Sequence, residues 1–213
     1  DVNPSGKLPD TLAVRREDYP DSGNYPGGGG VVDYAEGIYV GYRHFDKNGV
    51  EPLYPFGFGL SYTTFEYSDL GITPGTLQAG GKASVSLTVR NTGTRAGEEV
   101  VQVYVHDPAP RIDKPVRELK GFTRVALEPG EAKRVTLELG PDALAYCDVP
   151  GKQWRADAGT YELQVGASSR DLRLRGNVVL GETVTWPVAN MGKWIAEAAP
   201  DWGPNFALKQ PVQ

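Results

Sequence analysis

A strict two-residue alternation dominates the middle of this chain. Val85, Leu87 and Val89 are separated by Ser84, Ser86, Thr88 and Arg90, and Val101, Val103 and Val105 alternate with Gln102, Tyr104 and His106. Successive side chains of a strand point to opposite faces, so this pattern predicts antiparallel sheet with one face in a core and the other toward water. Asn91-Thr92-Gly93 ends the first of these strands. Further strands are expected at Glu118–Leu127, Ala132–Leu139, Thr160–Gly166 and Leu172–Leu180, punctuated by Glu128-Pro129-Gly130, Gly140-Pro141-Asp142 and Gly166-Ala167-Ser168-Ser169. Asp142–Tyr146 reads as a short helical turn with Leu144 packing inward. About six or seven strands in roughly 100 residues is the pattern of an immunoglobulin-like sandwich.

Ahead of this region the composition shifts to Gly, Pro and Tyr, which implies two parts in a chain of 213 residues. Asn3-Pro4-Ser5-Gly6-Lys7-Leu8-Pro9 cannot continue a helix and is expected to be a loop feeding a short strand, Thr11–Val14. Arg15–Asp18 and the stretch from Pro20 to Gly30 then form an exposed loop, with Gly27 to Gly30 its flexible centre. A phosphate cradle at those glycines would need a strand before and a helix after them, and neither is indicated. Gly37–Phe45 reads as a strand, and Asp46-Lys47-Asn48-Gly49 as the turn that follows it. In Pro55–Phe65, PFGFGLSYTTF, Gly57 and Gly59 lie between Phe56, Phe58 and Leu60, so the backbone can turn sharply while apolar side chains anchor both sides.

The run YAEGIYVGYRHFDKNGVEPLYPFGFGLSYTTF, Tyr34 to Phe65, resembles the carboxy-terminal signature of family-three glycoside hydrolases, the β-glucosidase and β-xylosidase group. VRNTGTRAGEEVVQVYV, RELKGFTRVALEPGEAKRVTLEL and AGTYELQVGASSRDLRL resemble recurring phrases of that family's fibronectin type III-like domain, in the family's order. The likeness extends from Asn3 to about Leu180 and fades after Gly181. It implies a mainly β fold: an immunoglobulin/fibronectin type III-like β-sandwich preceded by the C-terminal stub of an α/β sandwich domain. The expected division is 1–68 for the end of the α/β domain and the linker, 69–181 for the sandwich, and 182–213 for a docking tail. In the tail, Met191–Ala199 reads as a helix with Trp194, Ile195 and Ala198 on one stripe.

The implied parent reaction is hydrolysis of terminal non-reducing β-D-glucosyl or related residues with retention, which needs two carboxyl groups about 5–5.5 Å apart. Glu36 and Asp46 flank the predicted strand and, if it is extended, stand about 33 Å apart, as solvated strand ends. Glu98 and Glu99 point to opposite faces and read as surface charges. The family's nucleophilic aspartate and acid/base glutamate lie in contexts found nowhere in this sequence. No catalytic residue is therefore assigned, and this polypeptide alone is expected to be inactive. Substrate-binding residues stay unassigned.

His44, His106 and the lone Cys147 have no zinc-ligand spacing, so structural hydrogen bonding is expected and neither metal nor cofactor is implied. Ser5, Ser61 and Ser168 lack a nucleophile-elbow context. Tyr39, Tyr42, Phe45, Tyr54, Phe56, Phe58, Tyr62 and Phe65 read as an interdomain seam rather than a sugar platform, with Arg43 orienting it. A net charge of −5 supplies no basic face for nucleic acid or anionic membrane. The expected partners are the N-terminal barrel and α/β part of the same enzyme, on a separate or nicked chain because the sequence opens without methionine at Asp1, and a carbohydrate substrate. A homodimer is left open, and so is the compartment, with secreted or periplasmic favoured over cytoplasmic. The alternative reading is a non-catalytic carbohydrate-binding or structural β-sandwich module, resting on Trp154, Trp186, Trp194 and Trp202.

Overall fold

The alternating pattern becomes alternating burial. In β3, Ala83–Asn91, the residues Ala83, Val85, Leu87 and Val89 are buried while the intervening Ser, Thr and Arg side chains are not. The computed structural model describes residues 2–25, 27–28 and 31–188 of the chain. On one side of β3 runs β1, Phe65–Thr73, and on the other β6, Ala132–Leu139, giving an antiparallel sheet in the order β1-β3-β6. A second sheet is ordered β2-β10-β9-β4-β5, from Thr76–Leu77, Leu172–Leu180, Gly159–Gly166, Gly97–His106 and Glu118–Leu127 respectively. Its pairs are antiparallel apart from β2 against β10. A small third sheet joins β11, Val184–Pro187, to β8, Gln153–Ala156, and β7, Tyr146–Asp148.

Val85, Leu87 and Val89 of the first sheet share one core with Val101, Val103, Leu163 and Val165 of the second. Each fully buried aliphatic side chain contributes roughly 1.5–3 kcal/mol of transfer free energy, so this layer is the main source of the sandwich's stability. Asn91, fully buried at the end of β3, is satisfied locally: it accepts from the Thr63 hydroxyl at 2.6 Å and donates to the Arg95 and Leu127 carbonyls. It thereby ties the entry to β1, the turn into β4 and the end of β5 together.

The architecture is the mainly β sandwich that the sequence predicts. Glu118–Leu127, Ala132–Leu139 and Leu172–Leu180 form strands with the expected bounds, and the strand expected at Thr160 starts one residue earlier. The helical turn expected at Asp142–Tyr146 forms at Pro141–Ala143, with Leu144 buried as expected and Tyr146 instead beginning β7. β1 escapes a periodicity reading because its register shifts between Ser68 and Gly71, around Asp69 at φ 54°, which breaks the alternation.

Two expected strands in the leading segment are not formed. At Thr11–Val14 there is only one bridge, Leu12 to Tyr54. Gly37–Phe45 is a turn followed by a short helix, α1, Tyr42–Lys47. Gly37 and Gly41 both have positive φ, which reverses the chain where an extended strand would need to continue. The Asn48-Gly49 signal then serves the helix end, with Gly49 at φ 63° after the Asn48 cap. The strand expectation fails because Ile38, Val40 and Tyr42 alternate as a strand would, while Tyr42 and Phe45 satisfy the i, i+3 spacing of a helix. The expected helix at Met191–Ala199, Trp194, Trp202, and Gly29 and Gly30 of the glycine run lie outside the described residues.

Candidate functional site

Both faces of β4 are covered. Val101, Val103 and Val105 enter the sandwich core, yet Gln102 and Tyr104 on the opposite face are buried too, beneath the leading segment. This corrects the expectation that this face of the strand meets water. The Gln102 amide donates to the carbonyls of Gly57 at 3.2 Å and Ala167 at 2.7 Å, and the Tyr104 hydroxyl donates to Gln102 Oε1. Gly57 is required here for two reasons. Its φ is +80°, and a Cβ would sit 2.2 Å from Gln102 Oε1. Gly59 is required by close approach, since its Cβ would lie 2.5 Å from the Gly6 carbonyl.

Above Tyr104 the Tyr42 ring packs edge-on at 6.0 Å and leans on Phe56 at 4.9 Å, while the Tyr42 hydroxyl accepts the Leu119 N–H. Burial pushes the Tyr104 phenol well above its ordinary value, so it stays a neutral donor. The aromatic cluster divides: Tyr42 and Phe56 form the seam, Phe45 is buried against Tyr19 within the leading segment, and Tyr62 is exposed.

An ionic clamp closes the other end of the seam. Asp46, with only 3% of its side chain exposed, faces Arg170 Nε at 3.0 Å and Arg117 Nε at 3.4 Å. Arg117 also donates to the Ser169 carbonyl, whose own N–H donates to the Phe56 carbonyl, and Arg170 donates to the Val50 carbonyl. One carboxylate thus joins α1, the irregular segment leading into β5 and the β9–β10 hairpin. Burial raises the Asp46 carboxyl above its ordinary range, with the two guanidinium groups pulling it back down. Asp46 is therefore not the solvated strand end expected, and Glu36 is half-buried.

Glu99 is a second correction. It is buried and paired with Lys7 at 2.8 Å, whereas Glu98 faces outward toward Arg124 and Ser5. The two do point to opposite sides, as alternation requires, but Glu99 lies on the face of β4 that carries Val101 and Val103 into the core, at the end where Lys7 reaches it. Arg43 reaches Glu118 at 2.8 Å across the seam, and Lys47 pairs with Asp113. His44 bonds the Asp18 carbonyl and Asn48, and His106 the Val116 carbonyl, so both histidines have structural partners. Ser168 accepts the N–H groups of Arg170 and Asp171 in a turn, and Ser61 donates to Asn3. Among the described residues no group of three or more His, Cys, Asp or Glu side chains is arranged to hold a metal.

Lys7, Gln102, Tyr104, Arg117 and Arg170 are the seam residues that the sequence reading missed. The available signal was Gln102 and Tyr104, two large side chains between valines, where an exposed strand face tolerates small ones.

A fibronectin type III-like family model matches residues 99–169. The chain is 45% identical over 184 residues to the thermostable β-glucosidase B of Acetivibrio thermocellus, covering 86% of this chain and 24% of that protein. Its fold superposes on β-glucosidase 3B from Thermotoga neapolitana, solved with α-D-glucose, with a TM-score of 0.80 and 46% identity over 87% of this chain and 26% of that one. The GH3 β-glucosidase of Bifidobacterium adolescentis gives 0.80 and 38%, over 91% and 29%. The chain thus spans about a quarter of the length of the relatives it matches. With a fibronectin type III-like sandwich and this match across its length, the chain is recognised as a C-terminal portion of the β-glucosidase type of glycoside hydrolase family 3.

Proposed function

We propose that this chain is the structural C-terminal component of a retaining, exo-acting β-glucosidase-like enzyme that removes terminal non-reducing β-D-glucosyl residues. The aspartate nucleophile and glutamate acid/base belong to the upstream barrel and α/β part, and residues 1–213 alone are inactive. In this reading residues 1–68 end the α/β domain, 69–181 are the brace, and 182–213 are a docking tail.

One observation carries the proposal. Thirteen of the eighteen large hydrophobic side chains left exposed among the described residues lie between Val2 and Tyr62. An open apolar groove of about 520 Å³ runs along Leu8, Leu12, Tyr54, Phe58 and Leu60. Exposed apolar surface concentrated this way marks an interface, and the relatives' remaining three quarters supply a partner for it.

The test is hydrolysis of an aryl β-D-glucoside by the complete assembly and by residues 1–213 separately. Turnover by the assembly alone is expected. No turnover with any aryl β-glycoside by the assembly sinks the enzyme reading, and turnover by this chain alone sinks the division of labour.

A carbohydrate-binding module is the second reading, supported by Trp154, 38% exposed and directly opposite Trp186 across β8 and β11. Tryptophan fluorescence that does not respond to oligosaccharides removes its support.

A further inference from the structure

Where residues 5–7, the start of β4 and the β9–β10 hairpin meet, they enclose a cavity of about 330 Å³. That is within the size range of small-molecule sites. Its chemistry is unusual for a seam. Glu99 lines it with a side chain only 6% exposed; Oε1 takes the Lys7 ammonium and the Val100 N–H, each at 2.8 Å, and no hydrogen bond from a described residue reaches Oε2.

Ser168 also lines the cavity and is buried. Its oxygen already accepts two backbone N–H groups, so its hydroxyl proton is left to donate elsewhere. Arg173 is held in place by Asp171, the Phe65 carbonyl and the face of Tyr67, 4.5 Å away. A free acceptor and a free donor therefore face one space, in buried and preorganised side chains. An occupant that completes both takes the place of water at these two groups.

Charge selects the class of occupant. Two cations, Lys7 and Arg173, stand against three carboxylates, Glu98, Glu99 and Asp171, among the lining residues. Glu98 faces outward to Arg124, so Lys7 and Arg173 balance the remaining Glu99 and Asp171, which favours a neutral occupant over an ion. Phe58 and Phe65 contribute apolar wall, suited to the C–H face of a ring.

We propose that this cavity is a binding site for a neutral polyhydroxylated molecule of monosaccharide size, with Glu99 Oε2 accepting from one hydroxyl and Ser168 donating to a neighbouring one. The proposal is independent of the hydrolytic reading, since it requires only residues of this chain.

The test is an amide NMR titration of the 213-residue chain with glycerol, D-glucose, cellobiose and, as an anionic control, inorganic phosphate. Saturable shifts of the Val100, Arg170 and Asp171 amides are expected with glucose, at a midpoint of about millimolar, which corresponds to roughly −4 kcal/mol. Glu99→Gln and Ser168→Ala should each weaken the response about tenfold. Leu60→Trp, at the exposed rim, should block it while leaving the rest of the spectrum unchanged, which keeps the test valid where a buried substitution unfolds the chain. Equal response to cellobiose assigns a ring at the end of an oligosaccharide; response to glucose alone assigns the free sugar. No saturable shift up to about 100 mM, a stronger response to phosphate, or shifts indifferent to all three substitutions overturns the proposal.

Discussion

The sandwich and the segment that precedes it solve the burial problem in opposite ways. Every member of the continuous buried core lies between Tyr67 and Leu180, with two sheets closing on each other. The leading segment buries Phe45 on its own account but otherwise leaves its aliphatic and aromatic side chains open or rests them on the outer face of β4. The sandwich is thus stabilised by its own layers, whereas the leading segment rests on surface outside itself, the outer face of β4. Its hydrogen bonding shows the same dependence. Leu8, Leu12, Gly57 and Tyr54 exchange backbone bonds with one another, but no ladder extends beyond them.

Four experiments separate the two regions, in falling order of effect. Leu87→Ala empties a fully buried position between the sheets and should cost about 2–5 kcal/mol in urea denaturation, with β3, β4 and β9 losing hydrogen-exchange protection together. A loss confined to the leading segment would show that the sandwich is not the dominant folding unit.

Gly57→Ala forces an L side chain into φ +80° and onto Gln102. It should destabilise the seam by roughly 2 kcal/mol, with faster exchange between residues 2 and 64 and an unchanged sandwich transition. Equal loosening of both regions would erase the distinction.

Arg117→Ala removes one of Asp46's two cations and the donor to Ser169, for about 1–2 kcal/mol, read as increased proteolysis at residues 37–58. The effect should be larger at neutral pH than in acid, where a protonated Asp46 no longer needs the cation.

Asp46→Asn is the smallest and the most specific, because its sign depends on pH. The Asp46 carboxyl is raised in the folded protein, so the folded state holds its proton more tightly than the unfolded chain. Its stabilising contribution is full below the ordinary carboxylate range near about pH 4 and is lost as pH rises through the raised value. The asparagine variant should match the parent in acid and become relatively more stable toward neutral pH. The opposite trend would mean that the two arginines outweigh burial.

How much of this was readable in advance follows the same division. The strands from β3 onward are legible because an alternating side-chain pattern and turn residues are local signals, and their consequence, one buried face, is local too. α1 is not legible because Gly37 and Gly41 permit positive φ without announcing it, and because Tyr42 fits both the alternation of Ile38 and Val40 and the i, i+3 spacing to Phe45. The expectation that Asp46 and Glu99 are solvated fails because burial of a charge depends on partners far away in sequence: Arg117 and Arg170 for one, Lys7 for the other.

By itself, the order of residues determined the two-sheet sandwich, its turns, and the likeness to β-glucosidase C-terminal regions. Only the tertiary structure decided that β4 is covered on both faces, that one aspartate joins three elements, and that a polar cavity forms beside Glu99. The physical reason is range. Periodicity and turn propensity act over a few residues, whereas burial of Gln102, Tyr104, Asp46 and Glu99 requires segments tens of residues apart to arrive at the same place.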